Sequence, residues 1–346
     1  MVKLTIWYPG ARDPEVFEGF AKAVEAVADV YAEPPGKEVD VFIEGRPTAE
    51  QLVRVRTGGA VVVPFAGVPP ATAEVLRTRP DLTLHNLHHN SVETAETALA
   101  LLLSASRRIA TADRALRTGD WAPRYTPEEC INLGGRTAIV LGMGGIGRRV
   151  AMALAGMGVS VIGIRRKAST KEQHLSFDPF PGQGTATVRV EPISRLQDVL
   201  PKANFLIVTL PLTAETEGLI GSTELALLKK PSIVVNIARG SIIKERDLYE
   251  ALKDKVLHAA GSDVWYRYPK HPEGIVPGYF NMPEEARTTY PSEYPFHELD
   301  NIVMSPHRGG SSLDAEENRI IHLAKLVRAF AEEGVMPNRV DIDAGY

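Results

Sequence analysis

The chain has 346 residues, a formal net charge of −4 and 44% hydrophobic residues, a balance typical of a globular protein of about two domains. This balance argues against a basic nucleic-acid-binding surface, and the single cysteine, Cys130, excludes an intrachain disulfide. The N-terminal segment turns polar too early for a signal peptide, and no apolar run approaches the roughly 18 residues of a membrane span. We therefore expect a cytoplasmic protein with no nucleic-acid or membrane partner.

The first hundred residues predict a small α/β domain. Apolar runs rich in β-branched residues at 2–7, 39–43 and 61–65 are typical of strands. Residues 14–30 lie between the first two runs and have one apolar helical face. Residues 92–110 then repeat apolar side chains at helical spacing, which predicts a long helix.

A second α/β region follows this helix. Its strand candidates are the near-continuous apolar runs expected of a parallel sheet covered on both faces, namely TAIVLG, VSVIGI, NFLIVTL, SIVVNIA, VLHAAGSDV and NIVMSP. Residues 167–190 and 269–295 lack periodicity and are rich in proline, glycine and glutamate, which predicts two long surface loops. The segment 311–334 predicts one amphipathic helix at the C-terminal end.

A glycine-rich turn joins the first strand of this region to a helix. Gly142, Gly144 and Gly147 form the pattern G-x-G-x-x-G between an apolar strand and an amphipathic helix, the setting that gives the pattern meaning. Gly142 permits the tight turn, Gly144 lets a pyrophosphate approach the backbone, and Gly147 lets the helix pack closely. Free N–H groups at the helix start would bind the phosphates. A glycine turn without a ligand is the alternative.

Three basic residues follow the next predicted strand. A site that prefers NAD usually has an acidic residue there, about 20 residues beyond the glycine turn, to bind the ribose. This chain has Arg165, Arg166 and Lys167 instead. Since a guanidinium can bind a 2′-phosphate that a carboxylate would repel, we predict NADP as the cofactor, with NAD possible. A solvated basic loop is the alternative.

Two further strands end in residues suited to catalysis. Arg239 follows the strand SIVVNIA, and His307 follows the strand NIVMS. In an open parallel sheet, ligands bind at the carboxyl ends of the strands. An arginine can hold a substrate carboxylate, and a histidine can exchange a proton near neutral pH. Either residue alone is more often structural, but together with the glycine turn they favour catalysis.

The order of the motifs points to a known family. The chain contains, in order, NSVETAE, GMGGIG, LPLTAETEGLI, VNIARGSII, SDVW and SPHRGGSS. It resembles the D-isomer-specific 2-hydroxyacid dehydrogenases, which include glyoxylate and hydroxypyruvate reductases, phosphoglycerate dehydrogenase and formate dehydrogenase. The resemblance covers nearly the whole chain. It implies a homodimer and a Rossmann-type, doubly wound cofactor domain (99–307) inserted into a smaller flavodoxin-like α/β substrate domain (1–98 and 308–346).

The resemblance also implies roles for individual residues. Arg239 matches the family's substrate-binding arginine, and His307 matches its acid/base histidine. Asp263 matches the aspartate beside the nicotinamide carboxamide. The predicted substrate contacts, which include backbone amides that bind the carboxylate, are Ala66, Gly67, Val68 and Asn90. Further cofactor contacts predicted here are Gly145, Ile146, Leu210, Pro211 and Ala238.

One residue departs from the family pattern in a way that affects the mechanism. Tyr268 stands where the family commonly has a glutamate that orients the histidine and raises its pKa. A neutral hydroxyl can orient the ring but supplies little of that charge stabilisation. We therefore predict a catalytic role for Tyr268 beside His307, and a lower His307 pKa than in relatives with the glutamate.

The segment 270–294 is the second departure, since it is longer than the family's usual connection. One of its glutamates (Glu273, Glu284, Glu285 or Glu293) could replace the missing carboxylate, or the segment could cover the active site. A solvated or dimer-contact loop is an equally weighted alternative.

The histidines of HNLHHN (His85, His88 and His89) lack the spaced carboxylate or thiolate partners typical of zinc, so we predict no metal site and interpret them as polar lining of a cleft.

The predicted function is an oxidoreductase that transfers hydride between NADP(H) and C2 of a small 2-oxo or 2-hydroxy acid. In this reading NADPH delivers hydride to C2, His307 protonates the oxygen, and Arg239 holds the carboxylate. Two alternatives remain open. One is a dehydrogenase of formate or phosphite, since an arginine and a histidine also suit a small anion. The other is a dinucleotide-sensing scaffold with weak catalysis, to which the missing glutamate gives weight.

Overall fold

The computed structural model describes residues 3–10, 14–126, 129–166, 171–176, 185–270 and 282–343. Its contacts divide the chain into two compact units: unit 1 comprises Met1–Ser91 with Gly310–Tyr346, and unit 2 comprises Val92–Gly309. The sequence predicts boundaries at 98/99 and 307/308. Both units contain parallel sheets with helices, and the predicted α/β class is confirmed.

Unit 1 has a five-stranded parallel sheet within the described residues, in the order β2-β1-β3-β4-β5, which is the flavodoxin-like order. Its strands are β1 (Leu4–Trp7), β2 (Ala28–Tyr31), β3 (Val39–Ile43), β4 (Val55–Val63) and β5 (Thr83–Asn86). Its helices are α1 (Pro14–Val24), α2 (Ala49–Leu52), α3 (Pro70–Arg77) and α10 (Ala315–Glu333).

The sheet of unit 1 is covered on both faces because its strands alternate side chains between two apolar layers. One layer joins Ile6 and Val62 to Phe20 of α1 and Leu323 of α10. The other joins Phe42 and Val61 to Leu52 of α2 and Leu76 of α3. This burial explains why the strands read as continuous apolar runs in the sequence.

Unit 2 has an eight-stranded sheet within the described residues, in the order β13-β12-β11-β10-β6-β7-β9-β8. Its strands are β6 (Thr137–Leu141), β7 (Ser160–Arg165), β8 (Lys171–Ser176), β9 (Thr185–Pro192), β10 (Phe205–Val208), β11 (Ile233–Asn236), β12 (Ala259–Ser262) and β13 (Ile302–Met304). Its helices are α4 (Ser91–Arg107), α5 (Ile109–Arg117), α6 (Gly145–Gly156), α7 (Leu196–Val199), α8 (Ser222–Leu227) and α9 (Glu245–Lys253). Every pairing is parallel except that of β8 with β9.

The prediction of a loop over residues 167–190 is wrong for much of that segment. Residues of β8 and β9 form an antiparallel pair, and β9 also pairs in parallel with β7. In β9, Val188 and Val190 are buried while Thr187 and Arg189 are exposed, which is the two-residue alternation of a strand. The proline and glycine content of the neighbouring residues obscured this short alternation.

The second predicted loop, over residues 269–295, is described at 269–270 and 282–295. In that part the structure has only one short 3₁₀ turn, Glu284–Ala286, and otherwise irregular backbone. None of the helices in the described ranges combines the length and hydropathy needed to cross a bilayer.

Candidate active site

The glycine turn of unit 2 lies between β6 and α6 and is fixed by close packing. Gly142 has a φ of +113°, a backbone conformation that favours glycine. A Cβ on Gly147 would lie 1.8 Å from the carbonyl oxygen of Gly142, so α6 can approach the strand only if this residue has no side chain. Both glycines are therefore required by the fold of the turn.

Gly144 differs from these two because packing against the protein does not require it. A Cβ built on Gly144 would meet no described protein atom within 4 Å, and the residue is exposed. It is the N-cap of α6 and makes no side-chain cap, so the first N–H groups of the helix, at Gly145 and Ile146, face the turn. Bare backbone at a helix N-terminus fits a dinucleotide pyrophosphate.

Thr209, directly after β10, is a contact that the sequence reasoning missed. Its hydroxyl donates to the carbonyl oxygen of Gly142 at 2.7 Å, and its N–H donates to that of Leu141 at 2.9 Å. It therefore fastens the glycine turn to the neighbouring strand. Its position after the buried strand FLIV, and before the predicted contacts Leu210 and Pro211, was the available signal.

The first of the three basic residues lies beside the same turn. Arg165 ends β7, and its Nη2 donates to the carbonyl oxygen of Met143 at 3.0 Å, so its guanidinium lies against the glycine turn. Arg166 follows and is exposed. Lys167 lies outside the described residues. The arrangement therefore keeps one guanidinium at the place where an adenosine ribose would be bound.

Arg239 follows β11 on the same edge of the sheet. Its Nη1 donates to the carbonyl oxygen of Ala238 at 2.7 Å, which sets the direction of the guanidinium. A Cβ on Gly240 would lie 2.3 Å from the carbonyl oxygen of Trp265, so the residue after Arg239 packs directly on the loop that follows β12. Burial lowers the pKa of Arg239 from its ordinary value, and the nearby Tyr268 raises it.

His307 lies in a loop after β13 that a buried carboxylate holds in place. His307 has a φ of +55°, the left-handed conformation that most side chains disfavour. Asp263, which is 2% exposed, accepts hydrogen bonds from Ser305 Oγ at 2.5 Å, Arg308 N at 3.0 Å and Gly309 N at 2.8 Å. Asp263 thus anchors both sides of His307, a task that the sequence reasoning did not anticipate for it.

Tyr268 lies against His307, with ring centroids 5.4 Å apart and ring planes inclined by 55°. Its hydroxyl oxygen accepts a hydrogen bond from the N–H of Trp265 at 3.0 Å. Trp265 in turn donates its indole N–H to the carbonyl oxygen of Ser305 at 2.8 Å. Because Trp265 also packs against Gly240, one buried tryptophan connects the loops of Arg239, Tyr268 and His307.

The surroundings of His307 favour the neutral imidazole over the imidazolium. Burial lowers its pKa from the ordinary value, and the positive charge of Arg239 lowers it further, while Asp263 raises it.

The described part of the segment 270–294 contacts the rest of unit 2 through Pro291 and Glu293. Glu293 pairs with Arg267, and its N–H donates to Glu245 of α9 at 2.8 Å. The N–H groups of Tyr266 and Arg267 both donate to the carbonyl oxygen of Pro291. The Glu293 carboxylate therefore forms its ion pair with Arg267. Glu284 and Glu285 lie in the exposed 3₁₀ turn, and Glu273 lies outside the described residues.

Unit 1 carries the predicted substrate loop directly after β4. Its residues 65–68 are half-buried, and Asn86 Nδ2 donates to the carbonyl oxygen of Ala66 at 2.6 Å. Asn90 follows β5 within the same unit, where a Cβ on Gly310 would lie 2.3 Å from its Nδ2. Asn86 was not foreseen as a support for this loop.

The three histidines near the end of β5 have different surroundings. His85 is 3% exposed, and its ring nitrogens contact the carbonyl oxygen of Pro337 at 2.8 Å and Thr83 Oγ1 at 2.9 Å. His89 is buried, and this burial lowers its pKa to about 4. Within the described ranges, no group of three or more His, Cys, Asp or Glu side chains could hold a metal ion. His85 is thus a structural residue of unit 1.

Comparison with known proteins agrees with the fold. Residues 99–309 match the model of the D-isomer specific 2-hydroxyacid dehydrogenase NAD binding domain. The chain therefore belongs to the D-isomer-specific 2-hydroxyacid dehydrogenase family, and unit 2 contains its dinucleotide-binding domain.

Curated relatives extend the match beyond this domain. The chain is 31% identical over 256 residues to a D-3-phosphoglycerate dehydrogenase of Methanocaldococcus jannaschii, covering 72% of this chain and 42% of that protein. It is 30% identical over 253 residues to a glyoxylate reductase of Korarchaeum cryptofilum, covering 72% of this chain and 65% of that protein. The match therefore spans less than two thirds of either relative.

Solved structures share the fold over nearly the whole chain. An NADPH-dependent glyoxylate/hydroxypyruvate reductase from Sinorhizobium meliloti has a TM-score of 0.72 at 22% identity, covering 99% of this chain and 100% of that one. A D-isomer specific 2-hydroxyacid dehydrogenase from Xanthobacter autotrophicus has a TM-score of 0.73 at 24% identity, covering both chains fully at 100%.

Proposed function

We propose that the protein is an NADP(H)-dependent, D-specific reductase of small 2-oxo acids. The observation that carries the proposal is the set of loops joined through Trp265, which brings a carboxylate-binding arginine, Arg239, and a proton-exchanging histidine, His307, to the sheet edge that carries the glycine turn. The family membership and the glyoxylate reductase among the relatives support this substrate class.

The residues divide the chemistry between them. Arg239 binds the substrate carboxylate and polarises the 2-oxo group. Protonated His307 gives its proton to the carbonyl oxygen as C2 accepts hydride, so a 2-oxo acid, a hydride and one proton yield a 2-hydroxy acid. Bound NADPH supplies the hydride. Tyr268 packs against the imidazole, and Asp263 holds the backbone that follows His307.

The preference for NADP rests on Arg165 and Arg166. The Arg165 guanidinium lies at the glycine turn, where it would bind a 2′-phosphate. Neither of these two positions holds the acidic residue that would favour NAD. We assign the pyrophosphate to backbone N–H groups around Gly144, Gly145 and Ile146. The remaining proposed cofactor contacts are Gly142, Gly147, Leu210, Pro211, Ala238 and Asp263.

The substrate residues of unit 1 remain part of this proposal. The backbone of Ala66, Gly67 and Val68 would bind the carboxylate, and Asn90 would contact the substrate. Asn86 supports this assignment, because its side-chain amide holds the loop through the carbonyl oxygen of Ala66.

A cytoplasmic homodimer completes the proposal. Large apolar side chains are exposed along α5 and the 3₁₀ turn after it: Ile109 (56%), Leu116 (52%), Trp121 (59%) and Tyr125 (74%). Large exposed apolar side chains on consecutive elements are typical of a protein interface. The test is the mass in solution by sedimentation, where a monomer at micromolar concentration would contradict the dimer.

The activity is tested with a panel of glyoxylate, hydroxypyruvate, pyruvate, formate and phosphite, each with both nicotinamide cofactors in the direction its chemistry allows. We expect NADPH oxidation with at least one 2-oxo acid, formation of the D-hydroxy acid, and loss of this activity in Arg239→Gln. Turnover of formate or phosphite alone would support the small-anion dehydrogenase instead. Cofactor binding without turnover of any compound would support the scaffold.

A further inference from the structure

Asn236 is the last residue of β11 and lies three residues before Arg239. It is 2% exposed, and its side-chain amide makes two hydrogen bonds into the intervening loop. Oδ1 accepts from the N–H of Ala238 at 3.1 Å, and Nδ2 donates to the carbonyl oxygen of Arg239 at 3.0 Å. We propose that Asn236 is a positioning residue for Arg239, an inference that rests on the function proposed above.

The two hydrogen bonds bracket the peptide group that directs the Arg239 side chain. One holds the N–H of Ala238, which precedes the peptide group between residues 238 and 239. The other holds the carbonyl oxygen of Arg239, which follows that peptide group. The carbonyl oxygen of that middle peptide accepts the hydrogen bond from Arg239 Nη1 at 2.7 Å. A rotation of this peptide would therefore turn the guanidinium away from its present direction.

The other side of the loop is fixed by packing. Gly240 lies against the backbone of Trp265, where an added Cβ would come within 2.3 Å of the carbonyl oxygen. Arg239 thus lies between Gly240, which packs closely on Trp265, and the Asn236 amide. Such fixed backbone reduces the reorganisation needed when a substrate carboxylate binds, which is the condition for efficient orientation.

The chemistry of the amide explains why asparagine suits this position. The loop needs one acceptor for an N–H and one donor for a carbonyl, which a neutral amide offers together. An ionised carboxylate offers only acceptors, and it would also place a negative charge beside the guanidinium that is to bind a substrate carboxylate. An apolar residue would leave both backbone groups without these partners.

Asn204 offers a matched control in the same unit. It is also 2% exposed, and its Nδ2 donates to the carbonyl oxygens of Lys229 at 3.0 Å and Pro231 at 3.1 Å. It precedes β10, so it lies at the amino ends of the strands, the edge opposite Arg239. Asn204→Asp therefore removes comparable hydrogen bonds without touching the Arg239 loop.

The experiment compares Asn236→Asp, Asn236→Ala and Asn204→Asp in the full chain. The measurements are the thermal midpoint, the Kd for ADP-ribose, the KM and kcat for the best 2-oxo acid, and the Ki of oxamate in the presence of NADPH. ADP-ribose reports on the glycine turn, and oxamate reports on carboxylate binding.

We expect a roughly 10- to 100-fold loss of kcat/KM and a higher oxamate Ki in both Asn236 variants, with little change in ADP-ribose binding. Asn204→Asp should lower the thermal midpoint similarly but keep kcat/KM within about threefold.

Asn236→Asp has a further expected signature. A protonated carboxyl group can again donate to the Arg239 carbonyl, so its deficit relative to the unsubstituted protein should shrink at low pH, whereas that of Asn236→Ala should not. Equal losses of kcat/KM in the Asn236 and Asn204 variants would overturn the inference. Absence of turnover by the unsubstituted protein would contradict the proposed function instead, and oxamate affinity would then decide the positioning role by itself.

Discussion

The glycine turn after β6 and the His307 loop after β13 lie at the same edge of the unit 2 sheet but are held by different forces. The glycine turn is fixed by steric contact, because Gly147 can approach Gly142 only without a side chain. The His307 loop is fixed by polar contact, because Asp263 accepts three hydrogen bonds around a residue with a φ of +55°. The first restraint joins residues that are close in sequence. The second comes from Asp263, which directly follows β12 and lies about forty residues before the loop that it holds.

This difference determines what each region tolerates. A sterically fixed turn fails when any atom is added, whereas a loop fixed by hydrogen bonds fails when one acceptor is removed or changed. The four predictions below test this contrast, from the largest expected effect to the smallest.

Gly147→Ala is expected to have the largest effect. The new Cβ would lie 1.8 Å from the Gly142 carbonyl oxygen, so α6 must move away from the strand. We expect a loss of about 2–3 kcal/mol in unfolding free energy and the loss of measurable ADP-ribose binding. Calorimetry of unfolding and of binding measures both.

The matched control for this prediction is Gly156→Ala in the same helix. A Cβ there would meet no atom of the described residues within 4 Å, so the change should stabilise α6 by about 0.5–1 kcal/mol. If Gly147→Ala binds ADP-ribose as tightly as Gly156→Ala, the steric account of the turn is wrong.

Asp263→Asn tests the polar restraint. The amide keeps one oxygen acceptor, but its Nδ2 faces an N–H or hydroxyl donor, so at least one of the three hydrogen bonds is lost. We expect kcat to fall roughly 100-fold because His307 leaves its position, while ADP-ribose binding is retained. Steady-state kinetics and binding calorimetry separate these effects.

Ser305→Ala provides the graded comparison, since it removes one of the three hydrogen bonds and leaves the carboxylate intact. Its kcat should fall by less, about 3- to 10-fold. Should Asp263→Asn retain full kcat, the anchoring of His307 by this carboxylate would have no catalytic consequence.

The same contrast explains what the sequence could predict. The glycine turn was predictable because its determinants, a strand, three spaced glycines and an amphipathic helix, are contiguous. The α/β class was predictable for the same reason. The task of Asp263 as an anchor of Ser305 and Gly309 was not, since sequence reveals a carboxylate but not which distant N–H groups it accepts. Likewise β9 was missed because its short alternation stands next to residues rich in proline and glycine, and its pairing with β7 is not visible in the sequence.

Arg165→Ala asks whether the glycine turn also depends on a polar contact. The guanidinium donates to Met143 within the turn and is proposed to bind the 2′-phosphate. We expect the Kd for NADPH to rise roughly 10- to 100-fold, while the Kd for NADH changes by less than about threefold. The exposed Arg195, which pairs with Asp198 elsewhere in the unit, is the control. Equal loss of affinity for both cofactors would show that Arg165 supports the turn rather than the phosphate.

Tyr268→Glu is expected to produce the smallest effect, a shift along the pH axis. Reduction needs protonated His307, so activity is present below the pKa of His307 and is lost as the pH rises through it. Burial and Arg239 hold this pKa below its ordinary value, so activity should be lost at a lower pH than an ordinary histidine would give. A carboxylate in place of the phenol would stabilise the imidazolium and raise the pKa, so the descending limb of the pH–kcat profile should move up by about one unit.

Tyr268→Phe separates this charge effect from the loss of the phenol itself. It keeps a ring against His307 and removes only the hydroxyl that accepts from the Trp265 N–H, so the limb should stay in place while kcat falls modestly. A profile of the unsubstituted protein that coincides with that of Tyr268→Glu would mean that the residue at this position does not set the proton affinity of His307. In that case burial, Arg239 and Asp263 would set the pKa of His307, and Tyr268 would act on the geometry of the ring without acting on its charge.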